Sequence, residues 1–151
     1  MRSVTAPPDT IDTTEVASRL RLGVTRLARR LRQEAEAGIT PSLLIALSSI
    51  ERGGKMTIGE LSAVEQVQPP TMTRIVAALV EAGLVTREPD PNDRRVAWVR
   101  VTPAGARLLR RSRRRKDEYL AKRLRALSPH EIEVLDEAAG ILERLMGGGA
   151  R

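Results

Sequence analysis

Apolar side chains recur at helical spacing along most of the chain and switch to a shorter period in one place. Val16, Leu20, Val24, Leu27, Leu31 and Ala35 step by 4, 4, 3, 4 and 4, which draws one apolar stripe on a first helix, capped by Thr13 or Thr14 and ending at Gly38. Thr40-Pro41 restarts a helix with Pro at its first position, through Leu43, Leu44, Leu47 and Ile50 to a Gly53-Gly54 stop. Thr57, with Glu60 three residues on, makes a capping-box pattern for a short third helix, Ile58 to Glu65. Pro69-Pro70 opens a fourth, whose Met72, Ile75, Val76, Leu79 and Val80 are expected to face the core before Gly83 ends it.

Beyond Gly83 the residues are β-branched. Leu84 to Arg87 and Val96 to Val101 flank the turn-forming run Pro89-Asp90-Pro91-Asn92-Asp93, a pattern that predicts a two-stranded hairpin with a polar, basic tip. Thr102-Pro103 caps a fifth helix expected to reach Leu127, and Ser128-Pro129 with Glu131 starts a sixth. In the last helix Ile132, Leu135, Ala139, Leu142 and Met146 step by 3, 4, 3 and 4, a heptad seam. The expected fold is mainly α with a small β-hairpin wing, in the order α-α-α-α-β-β-α-α. It forms one domain over 13–146, between flexible tails at 1–12 and 147–151. Two short helices, a tight turn and then a hairpin make 39–101 a winged helix-turn-helix, whose second helix enters the major groove of double-stranded DNA.

Composition narrows the function. There is no Cys, which excludes disulfides, thiol switching and thiolate metal sites. A single His rules out a His-rich metal centre and leaves few choices for general-base catalysis, so no enzyme and no metal are expected. Trp98 and Tyr119 are the only aromatic residues, too few for platforms that stack single-stranded nucleic acid. The longest apolar run, Ile75 to Val80, cannot span a membrane, and the first twenty residues lack the apolar core of a signal peptide. A cytoplasmic, nucleoid-associated protein is the expectation.

The net charge of +7 is concentrated. Arg87 to Arg125 holds 14 basic and 5 acidic residues, whereas the rest of the chain is slightly acidic. A local positive face raises the concentration of phosphate polymers near it. The run Arg110 to Lys116 taken alone is equally a solvated helix face.

On the fourth helix Thr71, Thr73, Arg74, Ala77 and Ala78 fall outside the apolar set. Arg74 suits a guanine edge or a phosphate, and Thr71 a thymine methyl or a phosphate. Ala77 and Ala78 admit close backbone approach to DNA or simply favour helix. Gln68, Pro69 and Pro70 occupy the helix start, where two missing amide hydrogens leave recognition to side chains. In the hairpin tip Asp93 adjoins Arg94 and Arg95. An arginine there suits the narrow minor groove, and Asp93 is expected to pin Arg95 and leave Arg94 to read the groove.

These residues carry a resemblance. Met56-Thr57-Ile58-Gly59-Glu60-Leu61-Ser62, Pro70 to Val76 with Leu79, Gly83 to Arg87, Asp93-Arg94-Arg95 and Val101-Thr102-Pro103-Ala104-Gly105 together resemble the MarR family of bacterial transcription regulators, over about Thr13 to Met146. The resemblance implies a homodimer built by 13–37 and 103–146, with Val16, Leu20, Ile132, Leu135 and Leu142 in its interface. It implies a palindromic operator, most often repression, and release by a small effector of the aromatic or phenolic acid class, with no other cofactor. It also gives the basic helix a second use, with Arg107 and Arg110 beside DNA or, with Trp98, in an effector cleft. The sequence departs from the family at Gln68, where a Ser or similar cap is usual, and it lacks the cysteine of the peroxide-sensing branch. Two other classes compete: a low-specificity nucleoid-associated or architectural DNA-binding protein, and an interaction module that has lost DNA binding.

Overall fold

Five of the six helices among the described residues begin on a side chain that caps them. The computed structural model describes residues 11–35 and 38–147. Of the expected tails 1–12 and 147–151, residues 1–10 and 148–151 lie outside the described residues, as do residues 36–37 of the expected pairing segment 13–37. Helix α1 (Thr13–Glu34) starts one residue earlier than expected, because Asp12 and not Thr13 or Thr14 is the cap, its Oδ1 accepting the Thr14 N–H at 2.8 Å. A carboxylate is also the better partner for the positive end of the helix dipole. Helix α2 (Pro41–Gly53) follows Thr40 and ends at Gly54, whose φ of 72° suits glycine. Helix α3 (Ile58–Glu65) carries the full Thr57–Glu60 capping box.

Helix α4 (Pro69–Glu81) is the uncapped one. Helix α5 (Pro103–Leu124) begins behind Thr102, and α6 (Pro129–Leu145) behind the Ser128–Glu131 capping box. Helix α5 stops three residues short of Leu127, because Arg125 to Leu127 close a turn in which the Leu127 N–H bonds the Leu124 carbonyl at 3.0 Å.

The wing has three strands, not two: β1 (Met56–Thr57), β2 (Val85–Pro89) and β3 (Ala97–Val101), antiparallel in the order β1-β3-β2. Met56 lies opposite Val99, and Val85 opposite Val101. The two-residue β1 carries no periodicity of its own and exists through its pairing with β3, which is why the sequence pattern passes over it.

The core is confined to α2, α3, α4, the sheet and the first half of α5. Leu47, Ile50, Leu61, Met72, Val76, Leu79, Val99 and Leu109 are its fully buried side chains. On α4 the buried stripe is shifted from the one the sequence suggests. Val80 is 40% exposed and Ala78 is half-buried, since Val80 is turned about 100° from Leu79 and falls off the face that meets α2 and α3. Neither α1 nor α6 buries a residue.

The start of α5 is stapled to the wing. The Thr102 hydroxyl donates to the Gly83 carbonyl at 2.7 Å and accepts the Gly105 N–H at 3.1 Å, while the Thr102 N–H donates to the Leu84 carbonyl at 3.0 Å. Gly105 is buried against that carbonyl. Further along, Arg113 pairs with Glu51 and ties α5 to α2.

Candidate nucleic-acid interface

The turn from α3 to α4 sets the exposed helix start. Gln66 takes a left-handed conformation, φ 52°, and the Val67 N–H returns to the Ser62 carbonyl at 3.0 Å. Gln68 then begins α4 without a side-chain cap bond, and Pro69 and Pro70 follow. Neither proline has an N–H, and the Thr71 N–H is spent on the Gln68 carbonyl at 3.0 Å. The first three helical positions therefore present no free amide. A helix start of this kind holds phosphate through side chains, not through the backbone donors that commonly do so.

Gln68, Pro70, Thr71, Thr73, Arg74 and Ala77 are exposed along this helix. Thr73 Oγ1 donates to the Pro69 carbonyl at 2.9 Å, so its hydroxyl proton is already committed, whereas the Thr71 hydroxyl and the Arg74 guanidinium have no partner among the described residues.

The wing tip is built on two aspartates. Asp90 Oδ1 accepts the N–H groups of Asn92 at 2.8 Å and Asp93 at 3.1 Å, and its Oδ2 accepts the Trp98 indole N–H at 2.7 Å. The Lys55 ammonium lies 4.2 Å from the centre of the Trp98 ring. Asp93 holds Arg95 by the Arg95 N–H at 3.0 Å, by Nε at 3.1 Å and by Nη2 at 3.3 Å. Arg94 between them is exposed and unpaired. Of the two arginines, Asp93 thus pins Arg95, while Arg94 is left without a side-chain partner among the described residues. The sequence pattern marks Asp90 only as a turn residue and offers no signal for Lys55.

The Trp98 indole holds the Asp90 carboxyl below the usual aspartate range, with the Asn92 N–H adding to the effect. The Arg95 side chain does the same for Asp93. A depressed folded value means that the wing order is complete above the ordinary aspartate pKa of about 3.9 and fails only as pH drops through the lower folded value. Fluorescence of the single Trp98 is expected to stay constant from neutral pH down to that region and to change below it; a midpoint above the ordinary value would contradict the assignment.

Comparison with known proteins bears directly on this arrangement. The MarR family model matches residues 39–97, which span α2 to the start of β3. A helix-turn-helix transcriptional regulator from Mycobacterium leprae is 40% identical over 132 residues, covering 87% of this chain and 92% of that protein. The multiple antibiotic resistance protein MarR from Salmonella typhimurium is 32% identical over 99 residues, 65% of this chain and 69% of that one. This chain belongs to the MarR family. A solved structure of a transcriptional regulator from Pseudomonas aeruginosa, 33% identical, superposes with a TM-score of 0.79 over 91% of this chain and 97% of its own. As a MarR-family member the protein is a DNA-binding transcriptional regulator and not an enzyme, and its architecture is the family's winged helix.

The resemblance implies an effector cleft at Arg107, Arg110 and Trp98. Trp98 belongs to the wing, its N–H taken by Asp90, and Arg107 and Arg110 are exposed on α5. Two concavities lie where α1 and α5 meet. A crevice of about 180 Å³ between α1, α2 and α5 is lined by Arg32, Pro41, Leu44, Ile45, Ser48, Arg52 and Lys116. A wider groove of about 650 Å³ is lined by Gln33, Glu34, Arg115, Glu118, Tyr119 and Lys122. Within the groove Arg30 Nε donates to the Tyr119 hydroxyl at 3.1 Å, and Arg123 lies 5.1 Å from the ring centre. The sequence pattern could not find the crevice, because its cations come from three helices. Among the described residues no cluster of acidic or His side chains could hold a metal, and no helix is long and apolar enough to cross a membrane.

Proposed function

We propose that this regulator works in the cytoplasm as a homodimer that binds a palindromic operator and represses transcription until a small acid releases it. The observation that carries the reading is that recognition helix and wing each expose an arginine with no partner among the described residues, Arg74 and Arg94. Two unpaired guanidiniums on adjoining elements suit one duplex, the first in the major groove and the second in the minor groove. Gln68, Pro70 and Thr71 meet the same groove edge as Arg74. Thr73 contributes its methyl and an acceptor, and Asp93 and Arg95 hold the wing tip in shape.

The dimer is supported by what α1 and α6 leave uncovered. Val16, Leu20, Ile132 and Leu135 are between 38% and 46% exposed, and Leu142 is half-buried. A seam of this length on a terminal helix is what a second copy covers. We therefore divide the domain into 39–101, which reads DNA, and 13–37 with 103–146, which pair. Twofold symmetry sets the half-sites about 34 to 36 Å apart. The α1–α2–α5 crevice, with three cations over an apolar floor, suits an aromatic or phenolic carboxylate.

Selection of bound duplexes from random-sequence DNA tests the reading. The expected product is a palindrome bound about 10³-fold or more tighter than a scrambled duplex at physiological salt. A ratio under about tenfold would instead identify a low-specificity architectural protein. Arg94→Ala is expected to weaken operator binding by about tenfold and to erase any preference for A/T-rich flanks; unchanged flank preference would refute the groove assignment.

A further inference from the structure

The crevice between α1, α2 and α5 shares one side chain with the turn that launches the recognition helix. Arg52, near the end of α2, lines the crevice together with Arg32 and Lys116. The same guanidinium turns back along its own helix and donates through Nη2 to Ser49 Oγ at 2.8 Å. Ser49 is only 3% exposed, and its hydroxyl proton goes to the carboxylate of Glu65. A serine hydroxyl has one proton, so the direction of the relay is determined: Arg52 donates to Ser49, which donates to Glu65.

Glu65 is the last residue of α3. Directly after it Gln66 adopts its left-handed conformation, and α4 begins at Gln68 with no capping side chain. A non-glycine residue held in that region persists only where its surroundings over-determine it. Here the turn has two backbone bonds, Gln66 N–H to the Ala63 carbonyl at 3.4 Å and Val67 N–H to the Ser62 carbonyl at 3.0 Å. The Glu65–Ser49–Arg52 relay is the side-chain tether that fastens it to α2.

Among the described residues the crevice lining contains cations and no carboxylate, and Arg32 and Lys116 have no hydrogen-bond or ion-pair partner there. An anion entering it meets the planar fork of Arg52, and two parallel bonds from that fork to a carboxylate outweigh the single bond it makes to the Ser49 hydroxyl. We propose that an anionic ligand in this crevice acts on DNA binding through Arg52, drawing the guanidinium off Ser49 and so loosening the tether that holds the start of the recognition helix. The proposal rests on the reading of the crevice as the effector site and adds the route by which occupancy reaches α4.

Benzoate, the simplest aromatic carboxylate, is the probe. The selected operator duplex is titrated with the full chain, without and with benzoate, and benzoate binding is measured separately by calorimetry. In the unmodified protein benzoate is expected to bind and to weaken operator affinity by about five- to 150-fold, the usual range of allosteric coupling. Ser49→Ala leaves the crevice intact and removes the relay. It is expected to bind benzoate within about twofold of the unmodified protein while its operator affinity no longer responds. Glu65→Gln, which keeps an acceptor for Ser49 and removes the charge, is expected to weaken the response in the same direction. Lys116→Gln is expected to lose benzoate binding and keep operator binding. A full response in both Ser49→Ala and Glu65→Gln would overturn the proposal, as would benzoate that binds without changing operator affinity or fails to bind at millimolar concentration. Operator binding measured without benzoate separates these outcomes from failure of the DNA-binding reading, which would leave every variant unable to distinguish operator from scrambled DNA.

Discussion

Gly105→Ala is expected to destabilise the protein by about 3 kcal/mol, the upper part of the range for overpacking a filled site. In a chain of this size that lowers the melting temperature by roughly 10 °C. Gly105 sits in the first turn of α5, where alanine would ordinarily favour the helix. Here an added Cβ would lie 2.2 Å from the Leu84 carbonyl oxygen and 2.9 Å from Val101 Cγ1. The first obstacle is backbone at the head of β2 and cannot swing aside as a side-chain tip does. The Leu84 carbonyl is also the acceptor for the Thr102 N–H, so moving it strains the staple between wing and helix. Gly59→Ala is the control. That site, in the first turn of α3, has only Thr57 Oγ1 at 3.9 Å, and the change is expected to be neutral or slightly stabilising. Far-UV circular dichroism of the two variants during heating makes the comparison, and equal melting temperatures would show that the approach of α5 to β2 is looser than described.

Leu135→Asp is expected to convert the protein to monomers and to lower operator affinity by about 10²- to 10⁴-fold, the gain that linking two half-site contacts supplies. Leu135 is 46% exposed in the isolated chain and Ile132, one turn before it, 41%. Neither belongs to the core cluster, so the aspartate leaves the winged lobe folded and acts only on the association of α6. Sedimentation velocity and operator titration on one preparation separate the two effects. A stable dimer carrying the aspartate would move the interface away from this seam.

The legible parts of this fold are those where chemistry is local. The caps at Thr40, Thr57, Thr102 and Ser128, the prolines that open four helices and the Gly54 stop all act within one turn of themselves, and single residues report them. What escaped the sequence pattern depends on distant partners. Strand β1 exists only opposite Val99 and Trp98. Val80 continues the apolar run of α4 yet falls off the face the other elements cover. Asp90 serves a tryptophan eight residues on. The interface residues divide the same way: the exposed arginines follow from helix phase and turn chemistry, and the Thr73 hydroxyl bonds a carbonyl one turn back, whereas the pooling of Arg32, Arg52 and Lys116 in one crevice needs the packed chain. The glycine of Val101-Thr102-Pro103-Ala104-Gly105 could be recognised as part of a motif, but its reason, a carbonyl from a different element, could not.

The uncapped start of α4 has a consequence for how this regulator changes its target. In most helices the residue at the cap is committed to holding the helix closed, so it cannot vary freely. Here the rings of Pro69 and Pro70 preset the backbone, and the Gln68 side chain makes no capping bond. In the proposed docking, the position that would reach furthest toward the base edges is therefore released from structural duty. Exchanges there are expected to alter which operators are preferred while leaving the helix as stable as before, which would bring new DNA preferences within single substitutions of the present one.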